Sequence, residues 1–309
     1  MASCFSLDDS DRDRTGDIYD HRVVDSEIKR IHKMIFTLPP LVAEPIFHIK
    51  SFPVTNAYIN STIAVLFFII AGLVLRKKTA LIPDKLQNFA EGVLEFILGY
   101  VDKVTKDRKK SLKFLPIVGG LFLFILVSNW MGLIPGTGSI GRWLPVHGET
   151  ELVPLFRPAN ADLNMTLAMS LFAVVTSHVL GIFAVGFFKY ANKYIKIGDL
   201  IASFKKGGFH IFAAVIEFAI GIIETFLEAA KIASLSFRLF GNIFAGEILL
   251  TVIASLIAYG IPLPFIFLEI LVGIIQATVF SLLTLTYLTI ATTPVHGHDE
   301  RAHEPIVAQ

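Results

Sequence analysis

The chain has 309 residues, of which 54% are hydrophobic, 27 are Phe and only 17% are charged, against about a quarter charged in soluble proteins. This composition points to a protein embedded in a membrane. Lys plus Arg total 27 and Asp plus Glu 26, so the net charge of +1 gives no surplus of cation for binding nucleic acid. The single Cys4 excludes an internal disulfide and a multi-cysteine zinc or iron–sulfur site.

Residues 1–53 mix acids and bases with few apolar runs, which predicts an exposed, partly disordered extension. They lack the basic start and apolar core of a signal peptide. Apolar blocks then recur at the length of about 20 residues needed to cross roughly 30 Å of hydrocarbon. The first predicted span, 54–76, ends on Arg76-Lys77-Lys78. Within 83–104, Leu86, Phe89, Val93, Ile97, Tyr100 and Val104 recur at three- and four-residue intervals. That is the pattern of an amphipathic helix, lying along the cytoplasmic surface or packing on another subunit. A second span covers 112–134, a loop covers 135–160 and a third span covers 163–188. Two longer apolar segments, 209–259 and 262–293, precede a tail at 294–309. In that tail His296, His298 and His303 read as solvated residues rather than a metal site. The fold class is an all-α membrane protein with five membrane-embedded helical segments and one amphipathic interfacial helix.

Residues 76–113 carry ten Lys and Arg and 188–208 carry five, whereas 135–160 carries only Arg142 and Arg157 and 260–264 none. Positive loops stay cytoplasmic. The N-terminus is therefore expected outside, the C-terminus inside and the 135–160 loop extracytoplasmic. A bacterial inner membrane is the simplest location.

The segment 209–259 is the most informative. A continuous helix of that length would reach roughly 75 Å, more than twice the hydrocarbon thickness, so it must break or lie steeply tilted. It carries Glu217, Glu224, Glu228, Lys231, Arg238, Asn242 and Glu247 among residues that are otherwise almost wholly apolar. At about 100° per residue the first six share an arc of about 80°, and Glu247 faces elsewhere. Charges at membrane depth cost several kcal/mol and persist only against protein, water or a partner charge. The arc reads as a polar lane for ions. The plainer alternative is an interfacial loop at Glu228 and Lys231 between two short spans, with Arg238 in a packing pair. In 262–293, Glu269, Gln276 and Tyr287 lie within about 20° of one another on one face. Gln276 also fits an interhelical hydrogen bond, and Tyr287 an interface anchor. Asn129 and Trp130 read as interface residues.

The run Ser236-Phe237-Arg238-Leu239-Phe240-Gly241-Asn242-Ile243-Phe244-Ala245-Gly246-Glu247, with Gln276-Ala277 and Leu285-Thr286-Tyr287-Leu288, resembles subunit a of the F-type ATP synthases. The segment Pro158-Ala159-Asn160-Ala161-Asp162-Leu163-Asn164-Met165-Thr166 is similar to that family's P-x-x-D-x-N-x-T entrance to a span. The resemblance covers roughly residues 45–293. It implies a stator subunit that presents two offset aqueous half-channels to a rotating ring of c subunits, with subunit b and the rest of the synthase as further partners. The segments 209–259 and 262–293 then form a long tilted helix hairpin. By the same resemblance Arg238 separates the half-channels and Asn242 and Gln276 flank it. Glu247 and Glu269 line one half-channel with Asp162 and Asn164 near its outer side, and Glu224 marks the inner exit. Glu269 stands where the family often has His. His178 fits either a hydrogen-bonded packing role or the outer half-channel.

The sequence has no phosphate-binding G-x-x-x-x-G-K motif, so ATP chemistry is expected on another chain and no cofactor is implied. A self-sufficient secondary transporter or antiporter is the alternative. Neither an internal repeat nor a matched pair of interrupted helices supports it.

Overall fold

The structure is a computed structural model that describes residues 43, 45–50, 52–80, 82–134, 136, 140–146, 149–187, 190, 208–256 and 262–293. Most of the N-terminal extension, the 188–207 connection apart from Tyr190, and the His-containing tail lie outside the described residues.

A short antiparallel hairpin, β1 (Pro45–Ile49) and β2 (Phe52–Thr55), leads into α1 (Asn56–Lys78). The Thr55 side chain caps this helix by accepting from the Tyr58 N–H, which satisfies one of the N–H groups that a helix start leaves over. Helix α2 (Lys85–Thr105) ends on Lys106 in the left-handed conformation, at φ 54°. Asp107 then caps α3 (Arg108–Gly132) by accepting from the Lys109 and Lys110 N–H groups. The turn between these helices is further tied by an Arg108–Asp102 ion pair.

The predicted loop after α3 contains a second hairpin, β3 (Gly141–Val146) and β4 (Glu149–Pro154), in which Arg142 lies opposite Val153 and Trp143 opposite Leu152. The Arg142 Nη1 donates to the Ile46 carbonyl at 3.3 Å and so joins the two hairpins. A 3-10 turn at Ala159–Ala161 precedes α4 (Leu163–Val185). The two remaining helices are α5 (Gly208–Leu256) and α6 (Pro262–Thr292).

Among the described residues five helices are long and apolar enough to cross a membrane, so the chain is an all-α membrane protein, which also carries two small β-hairpins. Helix α6 is central and packs against α2, α3, α4 and α5. The core is built from Val101 of α2, Val118 and Ile125 of α3, Ala173 of α4, Leu235 and Leu239 of α5, and Phe280 and Leu285 of α6. Helix α1 is peripheral and leaves Val65, Phe67, Ile70 and Leu73 exposed, as expected of side chains that face lipid.

Of the apolar stripe of α2, Ile97 enters the core, Val93 packs against it, and Leu86, Phe89, Tyr100 and Val104 stay exposed. The largest feature is α5, an unbroken helix of 49 residues. At 1.5 Å per residue it is about 73 Å long, so it cannot stand upright in a bilayer. The helix also continues through Glu228 and Lys231, which removes the reading of those residues as a loop between two short spans.

Candidate functional site

Polar side chains gather at two places on the bundle, about 28 Å apart along α5. The first group is built by α5, α6 and the segment before α4. Arg157 is 2% exposed, and its Nε donates to both carboxylate oxygens of Glu247 at 2.9 and 3.0 Å. The guanidinium carbon lies 5.9 Å from the centre of the Phe244 ring. The carboxylate of Glu269, only 7% exposed, lies against Gly246. A Cβ at position 246 would occupy the space of that carboxylate, so glycine is what lets α6 bring Glu269 beside Glu247.

Asp162 is buried and caps α4, with its Oδ1 accepting from the Asn164 N–H at 3.1 Å, while Asn164 itself is exposed. Asn160 donates to Asn129 Oδ1 at 2.6 Å and to the Ile125 carbonyl at 3.3 Å. Asn60 donates to the Arg157 carbonyl at 2.7 Å. Asn129 is therefore an interior residue, 3% exposed. Its neighbour Trp130 keeps the exposure expected of an interface residue.

The second group lies toward the C-terminal ends of α4 and α6 and near the middle of α5. His178 Nδ1 and the Tyr190 hydroxyl are 2.7 Å apart, and its Nε2 lies 3.5 Å from a Glu228 carboxylate oxygen. Lys231 Nζ donates to the other Glu228 oxygen at 2.7 Å and sits 5.2 Å from the centre of the Tyr287 ring. The absence of a side chain at Gly181 makes room for the Tyr190 ring and the Ala291 carbonyl. His178 is thus hydrogen-bonded, as the packing reading expects. It lies sixteen residues along α4 from Asp162, about 24 Å, and so stands at the end away from the Glu247 and Glu269 group. Glu224 is half-buried one turn before Glu228. The side chain of Glu217 lies outside the described residues.

Between the groups lies Arg238. Leu235, Ser236, Leu239 and Ile243 are buried, whereas Phe237, Arg238 and Asn242 are exposed. The face of α5 that carries Arg238 and Asn242 therefore points away from the bundle. Arg238 makes no hydrogen bond or ion pair with a described residue. It lies ten residues after Glu228 and nine before Glu247, about 15 and 14 Å along the helix axis. Gln276 is half-buried on α6.

Comparison with known proteins places the chain in a family. The family model described as "ATP synthase A chain" matches residues 58–289, three-quarters of the chain. The chain belongs to that family. An ATP synthase subunit a from Moorella thermoacetica is 30% identical over 254 residues, covering 82% of this chain and 96% of the relative. The subunit a of Mycobacterium ulcerans is 34% identical over 249 residues, covering 79% and 89%, and that of Campylobacter jejuni 31% over 233 residues, covering 75% and 88%. The span matched to the ATP synthase A chain family contains every element from α1 to α6 except the first two residues of α1 and the last three of α6. Both polar groups and Arg238 fall within it.

Sequence reasoning missed Arg157 as a site residue because it counted only as a positive charge in a weakly basic loop. The usable signal is its position directly before Pro158 in the P-x-x-D-x-N-x-T segment. It also missed Asn60, a polar residue inside an apolar span that by itself suggests burial against protein. Tyr190 fell within a run of lysines whose main message was topology.

Proposed function

We propose that this chain is the ion-translocating stator of an ATP synthase, that its two polar groups belong to two offset half-channels, and that Arg238 separates them. One observation supports this most strongly. Arg238 projects from the middle of a long apolar helix toward the outside of the bundle, with no partner among the described residues. An exposed cation on a lipid-facing surface costs at least about 2.5 kcal/mol. The face of α5 that carries it is therefore a docking face for a partner that supplies negative charge, and in this family that is the carboxylate of a rotating c subunit.

Guanidinium is protonated at every relevant pH, so Arg238 acts as a fixed positive potential and never as a proton carrier. Opposite charges about 4 Å apart at an effective dielectric near 20 attract by roughly 4 kcal/mol. A ring carboxylate that arrives at Arg238 releases its proton before it passes. A membrane potential of about 200 mV supplies roughly 4.6 kcal/mol per charge, so the contact forms and breaks within one step of the rotor.

Glu247 and Glu269, with Asp162 and Asn164 nearer the surface, load the ring from the outer side. Glu224, with Glu228 and His178, releases to the inner side. Asn242 and Gln276 flank Arg238 at the ring surface. The N-terminus is extracytoplasmic, the C-terminus cytoplasmic, and the first half of α2 lies along the inner surface of the bacterial membrane. The chain performs no catalysis itself, because ATP hydrolysis belongs to the soluble part of the synthase. Subunit b and the ring are its membrane partners.

Purification of the tagged chain in mild detergent tests this reading. The expected result is a stoichiometric complex that contains a c ring and hydrolyses ATP. A chain that purifies alone and catalyses ion exchange in liposomes would instead establish the antiporter reading.

A further inference from the structure

Arg157 is spent on Glu247 in an unusual way. A guanidinium commonly meets a carboxylate with two nitrogens side by side, but here a single nitrogen, Nε, contacts both oxygens. Nη1 and Nη2 are buried and make no hydrogen bond. Asn60 Oδ1, Ser128 Oγ, Asn129 Nδ2 and Asn160 Oδ1 are also buried without partners. These residues are neighbours, since Asn60 donates to the Arg157 and Ser128 carbonyls and Asn160 to Asn129. Buried polar atoms of this kind are ordinarily satisfied by ordered water.

The two acidic residues of this group are not equivalent. Glu247 is held by a buried cation. Glu269, which the missing side chain of Gly246 admits to the same site, makes no hydrogen bond or ion pair with a described residue.

Building on the stator reading, we infer that Arg157 is a positioning residue that anchors Glu247 as the fixed carboxylate of the outer half-channel. Asn60, Ser128, Asn129 and Asn160 beside it form a water-holding vestibule through which Glu269 exchanges its proton. Only one nitrogen touches Glu247, so a point charge of similar reach serves in its place, and lysine at 157 keeps the function in part.

The test is ATP-driven proton uptake into vesicles carrying the whole synthase, with complex content and ATP hydrolysis measured beside it. Arg157→Gln is expected to lower the uptake rate at least about tenfold, as loss of one partner of a buried charge pair does, with hydrolysis sites and complex content unchanged. Arg157→Lys is expected to recover most of that loss. The Arg157→Gln/Glu247→Gln double variant should pump no worse than Glu247→Gln alone, because the arginine acts through that carboxylate. Uptake within twofold of the parent for Arg157→Gln, a lysine variant as poor as the glutamine one, or losses that multiply in the double variant would each overturn the assignment. If Arg157→Gln does not assemble, an assembled Arg157→Lys synthase that pumps at less than about a tenth of the parent rate overturns it equally. Arg238→Ala vesicles in the same assay separate the two ideas: undiminished pumping there removes the stator reading itself, whereas its loss beside normal Arg157→Gln pumping removes only the role of Arg157.

Discussion

Gly246 has no side chain, and that absence positions a charge on another helix. The Glu269 carboxylate occupies the space where a Cβ would stand. The obstructed atoms are the far end of a flexible side chain, so Gly246→Ala moves the carboxylate rather than the helix. The synthase should assemble at normal yield and pump protons severalfold more slowly. Glu269→Asp, shorter by one methylene, should restore part of that rate in the double variant. Normal pumping by Gly246→Ala would show that the position of Glu269 beside Glu247 does not matter. Asp162 illustrates the opposite case. The family resemblance gives it a place near the outer half-channel, and in the structure its carboxylate also caps α4. A loss of function on its replacement would mix both effects.

At the scale of elements, α5 decides the architecture. Its polar residues lie on an unbroken helix of about 73 Å, so Glu228, Arg238 and Glu247 have a fixed spacing along one rigid axis. A proline inside a helix removes a hydrogen bond and clashes with the preceding turn, at a cost of about 3 kcal/mol or more. Ala230→Pro, between Glu228 and Lys231, should therefore greatly reduce the amount of assembled subunit, as read by immunoblot of the purified membrane complex. Normal amounts would mean that the chain turns there, as two short spans require. Helical periodicity in the sequence already placed six of these polar groups on one arc. It could not reveal that Glu247, off that arc, meets Arg157, because that contact joins residues 90 positions apart. Periodicity reports which face of a helix a residue occupies, and the contact depends on which other element covers that face.

For the molecule as a whole, the apolar blocks made the five spanning helices legible, since spans in lipid must be both long and apolar. The two hairpins were not legible: strands of four to six residues such as Phe52–Thr55 and Gly141–Val146 are too short to stand out by alternation. The division of the polar residues into two groups was legible only through the family resemblance. The asymmetry of Lys and Arg between loops predicts an extracytoplasmic N-terminus. The only cysteine in the chain, Cys4, makes that testable without mutation. A membrane-impermeant maleimide should label it in right-side-out cells or spheroplasts, and labelling confined to inverted vesicles would reverse the topology. Three stations along α5 carry the proposed function: Glu247 with Glu269, Glu228 with His178 and Lys231 about 28 Å away, and Arg238 midway between them. The role of that midpoint is measured most directly by ATP-driven proton uptake in inverted membrane vesicles that carry Arg238→Ala. Uptake is expected to be abolished while the catalytic sites still hydrolyse ATP, and proton uptake that persists at the parent rate would contradict a separating role for Arg238.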